Sequence, residues 1–175
     1  MKCKVLCALL AVGMLGIASA SADIVVSFNP VDAVVPGVGN TAAVEIWADI
    51  PEADAILGWG LDVNIDDGAI AQITDVQINE ALFNTAFAPD GDGLAGLAFP
   101  DCVWGNVMLA TITYTGMMNG MTPVATAATA GDLTEGFALC DTGFATFMNA
   151  AGTVTVPEPA SLVLLALAGL ALRRR

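Results

Sequence analysis

Four stretches of this chain alternate apolar and polar residues with a period of two, and that period restricts its fold more than any other feature. In Thr41–Ile50, Val44, Ile46 and Ala48 oppose Ala43, Glu45 and Asp49. In Leu57–Ile65, Leu61, Val63 and Ile65 oppose Asp62, Asn64 and Asp66. In Ile70–Ile78, residues 70, 72, 74, 76 and 78 take one side and Ala71, Ile73, Asp75 and Gln77 the other. In Val107–Tyr114, Val107, Leu109, Thr111 and Thr113 alternate with Met108, Ala110, Ile112 and Tyr114. Successive side chains of a strand point to opposite faces, so a carboxylate at every second residue marks a face in water.

Turns separate these stretches. Pro51–Asp54, Asp67–Gly68 and the Gly/Asn segment Gly116–Met121 carry turn chemistry. An apolar start at Ile24–Val26 is broken by Asn29-Pro30; Val124–Thr129 reads as an edge strand and Ala145–Val156 as the final strand. Glu80–Phe87 reads equally as a short helix or an irregular loop, and Ala88–Ala98 as a Gly-rich connection. Many short strands split by Gly, Pro and Asn predict an all-β, single-domain sandwich large enough to bury a core.

The two ends do not share this pattern. Lys2 and Lys4, the apolar Val5–Ile17 and the small residues Ala18–Ala22 have the layout of a secretory signal peptide, residues 1–22, with cleavage after Ala22 or, alternatively, after Ala20. Cys3 and Cys7 leave with it. At the other end Pro157, Glu158 and Pro159 precede an apolar run from Ala160 to Leu172 and a cluster of Arg173, Arg174 and Arg175. That run would rise roughly 20 Å as a helix, short of a hydrocarbon core of about 30 Å, so it is a marginal span that relies on arginine snorkelling and bilayer thinning. The arginines stay cytoplasmic by the positive-inside rule and place residues 23 to 156 outside.

Setting both ends aside exposes the charge. All five basic residues lie in them, whereas seventeen of the eighteen carboxylates, all but Glu158, lie between Asp23 and Val156. A body with no Lys, Arg or His repels phosphate backbones, which proteins bind by neutralising them with cations. Nucleic acid and anionic lipid are excluded as partners.

The tail, in order, spacing and composition, closely resembles the PEP-CTERM sorting signal of bacterial exported proteins, here residues 156–175. The resemblance implies export, transient membrane anchoring, and a partner in the form of an exosortase-type transpeptidase that cuts near Pro157-Glu158-Pro159. The same tail is also labelled an ice-binding protein C-terminal domain, but the regular threonine arrays of an ice-binding plane are missing. Within the body, residues 23–155, the segments Gly39–Ile50, Ile56–Ile65 and Val107–Thr113 resemble the strand layout of cohesin-type domains. Those are jelly-roll β-sandwiches related to carbohydrate-binding modules, and the resemblance implies a fold built to recognise partner proteins or glycans.

The remaining chemistry is sparse. Cys102 and Cys140 are the body's two cysteines, an even count in an exported chain, so a disulfide is the expected state. Without histidine or lysine there is no Ser-His or Cys-His dyad, no histidine-held zinc and no Schiff base. A glycosidase needs only two carboxylates, but with unlike environments, and these acids fall mostly on alternating faces or turns. No enzyme activity is expected. Asp62-x-Asn64-x-Asp66 starts like an EF-hand loop, then carries Asp67 where Gly is needed and Ile73 where Glu is needed. Asp90 and Asp92 in a flexible Asp-Gly turn, joined by Asp101, are the candidate calcium ligands; no other cofactor is expected. Of the tryptophans, Trp59 shares the parity of the inward Leu57, Leu61 and Val63, Trp47 sits in a strand of mixed phase, and Trp104, in a loop beside Gly105, is the candidate for stacking on a sugar ring. The sequence thus predicts a non-catalytic protein of the cell envelope or extracellular matrix with a structural or adhesion role. The alternative is a carbohydrate-binding-module-like protein that recognises extracellular polysaccharide; the expected partners of the body are extracellular polysaccharide or another surface protein.

Overall fold

The computed structural model describes residues 23–85, 93–129, 132, 134–141 and 143–158. The expected signal peptide, the candidate ligands Asp90 and Asp92, and everything from Pro159 onward lie outside that set. The described chain forms twelve strands: β1 Ile24–Asn29, β2 Asp32–Val34, β3 Thr41–Ile50, β4 Ile56–Ile65, β5 Ala71–Ile78, β6 Leu94–Leu97, β7 Gly105–Gly116, β8 Gly120–Ala127, β9 Gly136–Leu139, β10 Phe144–Ala145, β11 Phe147–Met148 and β12 Ala151–Val156. A single 3-10 turn, Glu52–Asp54, joins β3 to β4, and there is no α-helix among the described residues.

The strands form two sheets. One runs β11-β1-β3-β7-β5; the other runs β10-β9-β4-β8-β12-β2, with β6 added onto β4. The inward faces meet in one core. From the first sheet come Ile24, Val26, Phe28, Val44, Ile46, Ala48, Leu109, Ile112 and Tyr114, and from the second Trp59, Leu61, Val124, Phe137, Val154 and Val156, all buried. The alternation read in β3 is therefore one face of a two-layer sandwich, and the all-β expectation holds.

Three of the alternating stretches do not keep a single phase, two of them in their interior. Ile46 pairs with Ala110 but Trp47 with Met108, so Leu109 is an extra residue in β7; Ile73 pairs with Tyr114 but Asp75 with Thr113, so Thr74 is extra in β5. Each bulge shifts the parity by one. Val107 and Leu109 point inward before the first bulge and Ala110, Ile112 and Tyr114 after it; Ala71 and Ile73 before the second, Val76 and Ile78 after it. The third shift is at the start of β4, where Ile56 pairs with Leu139 but Gly58 with Ala138, so Leu57 is extra and Ile56 is buried in place of the expected Leu57. The unbroken alternation expected for these stretches is corrected accordingly.

One further segment takes the irregular of its two readings, and two differ from the sequence reading. Glu80–Phe87 is irregular over its described part, and it drives Phe83 into the core against Trp59, rings edge to face with centroids 5.8 Å apart. Both fit because β6 carries Gly96 beside them: a Cβ there would lie 2.8 Å from Phe83 Cβ and 2.9 Å from Trp59 Nε1. The strand read as an edge, β8, lies between β4 and β12, with Pro123 opposite Thr153. The single final strand is three pieces, β10, β11 and β12, pairing with β9, with β1, and with β8 and β2 respectively. Pieces this short pair with different neighbours, so the chain crosses between the sheets.

Hydroxyls fasten the loops to this frame. The inward Thr122 accepts from the Asp67 amide at 2.9 Å, and Thr126 accepts from the Ala150 amide at 2.8 Å while donating to Asn149 Oδ1 at 3.2 Å. Cys102 and Cys140 are joined by a disulfide, Cα to Cα 6.1 Å, across a sequence separation of 38. It ties the segment before β7 to the end of β9.

Two measurements test this frame. Replacing both Cys102 and Cys140 by serine releases a loop of that separation and is expected to cost about 3 to 4 kcal/mol in urea unfolding, on the chain-entropy account. Tyr114 is the chain's one tyrosine, and burial pushes its phenol from 10.0 up to about 12. The folded state thus holds its proton more tightly than the unfolded chain. Stability fully present below pH about 10 is lost as the pH rises toward about 12, and ultraviolet titration of tyrosinate should give a midpoint near 12 in the folded protein that falls to about 10 in urea.

Candidate functional site

The end of the sandwich tied by the disulfide holds the aromatic candidate. Ile50 of β3 pairs with Gly105 of β7, Ile56 of β4 forms a bridge to Val103, and the Cys140 amide donates to Ala55 O at 2.9 Å, so these chain segments converge around the Cys102–Cys140 bond. Gly105, at φ +91°, turns the chain out of this loop into β7. That conformation is open to glycine at no steric cost. Immediately before it, Trp104 is 54 % exposed, and Phe99, five residues earlier, is 69 % exposed. Phe144 of β10, also exposed, reaches the same end, with the Leu139 amide donating to Gly143 O at 3.0 Å.

The other tryptophans are committed elsewhere. Trp59 is buried at 3 % with Phe83 on its ring; Trp47 is half-buried on the outer face of the first sheet, donating from Nε1 to Glu45 Oε2 at 2.8 Å. Asn29 donates to the same oxygen at 3.1 Å. Phe99 and Phe144 were missed by sequence reasoning. A phenylalanine in a short, pattern-free segment reads as core, and the one available signal was its neighbourhood: Pro100 follows Phe99, and Gly143 precedes Phe144.

The carboxylates are dispersed. Asp101 is exposed beside Cys102, and among the described residues no three acidic or cysteine side chains gather as a metal site. Two open depressions, one lined by Val76, Gln77, Ile78, Glu80 and Thr85 and the other by Asn64, Ile65, Asp66, Pro123 and Ala125, each carry a single carboxylate. Glu135 is the buried acid of the segment before β9: its Oε2 accepts from the Thr129 amide, and Oε1 has no partner. Asp132, on the surface nearby, is held below the usual carboxylate range, first by the Thr134 hydroxyl and then by the Thr134 amide.

Of the sorting motif, Pro157 is half-buried and Glu158 exposed, while Pro159, Arg173, Arg174 and Arg175 lie outside the described residues. Val156 is buried, so the motif follows the last core residue with no linker between them.

Residues 155–175 match the PEP-CTERM protein-sorting motif. The chain carries the mark of proteins that are exported and held at the cell envelope through an exosortase. No curated protein matches the chain. Among solved structures, the sandwich is similar to a cohesin from Clostridium acetobutylicum, at 14 % identity over 81 % of this chain and 95 % of that one, with a TM-score of 0.57. It is similar to the cohesin module of a family 33 glycoside hydrolase from Clostridium perfringens, at 7 % identity over 78 % and 96 % of the two chains, TM-score 0.55. It is also similar to a type I cohesin from Clostridium thermocellum solved in complex with a dockerin, at 11 % identity over 77 % and 99 %, TM-score 0.54. At such identities the likeness shows the fold: a cohesin-like β-sandwich. Among the described residues no helix is long and apolar enough to cross a membrane.

Proposed function

We propose that this chain is a non-catalytic adhesion module of the cell envelope, displayed by its sorting tail and making contact through the aromatic end at Phe99, Trp104 and Phe144. The observation that carries the reading is the exposure of these three rings around a disulfide-tied end. Aromatic side chains supply large contact area with few torsions to fix, and a tied scaffold reduces the ordering that binding must offset. The solved cohesin bound to a dockerin supports a protein partner for such a sandwich.

A second reading, recognition of extracellular polysaccharide, is favoured by Trp104 itself. An exposed indole stacks on the apolar face of a sugar without needing a cation nearby, and the body has none. Calcium enters as a proposed aid through Asp90, Asp92 and Asp101, oxygen donors suited to a hard cation. Calorimetric titration of the full chain with calcium chloride should then show saturable binding that weakens on Asp101→Asn, and a titration without heat removes the cation from the account.

The contact itself is tested with full-length protein in liposomes, mixed separately with isolated envelope polysaccharide and isolated surface proteins. Retention of one fraction that falls about tenfold on Trp104→Ala, roughly the weight of one aromatic contact, supports the module, and the retained fraction decides between the two readings. Retention indifferent to Trp104→Ala, Phe99→Ala and Phe144→Ala together removes the aromatic end from the account.

A further inference from the structure

The opposite end of the sandwich carries a second exposed apolar group. Val34, Val38, Met117, Met118 and Met121 are each between 46 % and 62 % exposed. Met121 and Val34 pair with Thr155 from its two sides, and the Gly39 amide donates to Gly116 O at 2.7 Å, which brings the loop bearing Val38 against the end of β7. The Met117 and Met118 amides both donate to Ile70 O, at 2.8 and 3.2 Å. The packing is tight enough that a Cβ on Gly116 would stand 3.0 Å from Gly37 O and 3.1 Å from the methyl carbons of Val156. Val156 is also where the chain leaves the fold, and the apolar run starting at Ala160 follows it.

We propose that these five side chains form a seat that rests on the surface of a lipid bilayer beside the anchor. The proposal relies on the tail being membrane-anchored, as above. Three residues, 157 to 159, separate the core from the apolar run, and three residues reach at most roughly 10 Å. An anchored tail therefore holds this end of the sandwich at the interface, where apolar side chains settle about 5 to 10 Å into the headgroup boundary. Apolar groups clustered at the surface of a folded domain mark an interaction site, and this cluster surrounds the exit of the anchor. Charge agrees with the orientation. The seat end brings Asp32, Asp66, Asp67 and Glu158, whereas Asp23, Asp49, Glu52, Asp54, Asp101 and Asp141 lie toward the other end. The carboxylates at the seat favour a zwitterionic surface over an anionic one.

Methionine oxidation reads the seat directly, because sulfoxide formation follows exposure. Full-length protein in phosphatidylcholine nanodiscs is treated with hydrogen peroxide, and each methionine is followed by peptide mass spectrometry. Met148, 57 % exposed and paired beside Val25 toward the other end, is the internal reference. Met117, Met118 and Met121 should oxidise at least about fivefold more slowly than Met148, and Val38→Asp with Met118→Asp should restore oxidation at Met121. Equal rates at all four methionines in disc-bound protein overturn the seat and leave the anchor standing. Failure of the chain to co-elute with nanodiscs overturns the anchor and the seat with it. Protection confined to discs carrying two copies assigns the surface to a second copy and overturns the lipid assignment.

Discussion

A body with seventeen carboxylates and no lysine, arginine or histidine has no side-chain cation with which to neutralise any of them, and much of its polar architecture follows from that. Where another fold would use ion pairs, this one uses hydroxyl, amide and indole donors. Glu45 is held by Trp47 and Asn29, Asp132 by Thr134, Asp62 by Thr129, Asp32 by Thr153, and Asp75 by Gln77. Neutral donors cost less to desolvate than cations and lose nothing to salt screening. Self-repulsion among the acids remains, and the sheets together with the Cys102–Cys140 link oppose it.

The same constraint explains where apolar surface is allowed. An acidic coat opposes the approach of one body to another, which counters the tendency of exposed rings and methionines to associate. Among the described residues they gather around the disulfide and around the exit of the tail, on opposite ends of the strands, with Met148 apart at the β1–β11 edge. The broad outer faces carry most of the carboxylates of β3 and β4 and remain wet.

Where the sequence was legible, it was legible through period-two burial. In β3 the inward Val44, Ile46, Ala48 and Ile50 are all apolar, and the parity of Trp59 with Leu61 was enough to place it in the core. The bulges at Leu109 and Thr74 left no sign, because an apolar pair such as Leu109-Ala110 suits either phase and the shift is set by the partner strand. Strands of two to four residues, β6, β9, β10 and β11, are too short to show a period, and their pairing is decided by tertiary contacts. The aromatic end was half visible for the same reason. Trp104 beside Gly105 announced a loop, whereas for Phe99 and Phe144 the adjoining Pro100 and Gly143 were the one local sign of a ring facing water.

The fold then turns the two ends into two distances. The strand β7 runs from Gly105, beside the disulfide, to Gly116, beside Val156, and its twelve residues at about 3.3 Å each set the ends roughly 40 Å apart. The Debye length at physiological ionic strength is about 8 Å, so the carboxylates around Trp104 lie several screening lengths from a membrane that holds the tail. Repulsion between the acidic coat and an anionic leaflet therefore acts chiefly through Asp32, Asp66, Asp67 and Glu158 at the tail end. A three-residue connection to the apolar run would let a strongly acidic domain with this asymmetry stand upright on a membrane. The rings at Phe99, Trp104 and Phe144 and the methionines at Met117, Met118 and Met121 lie at opposite ends of β7.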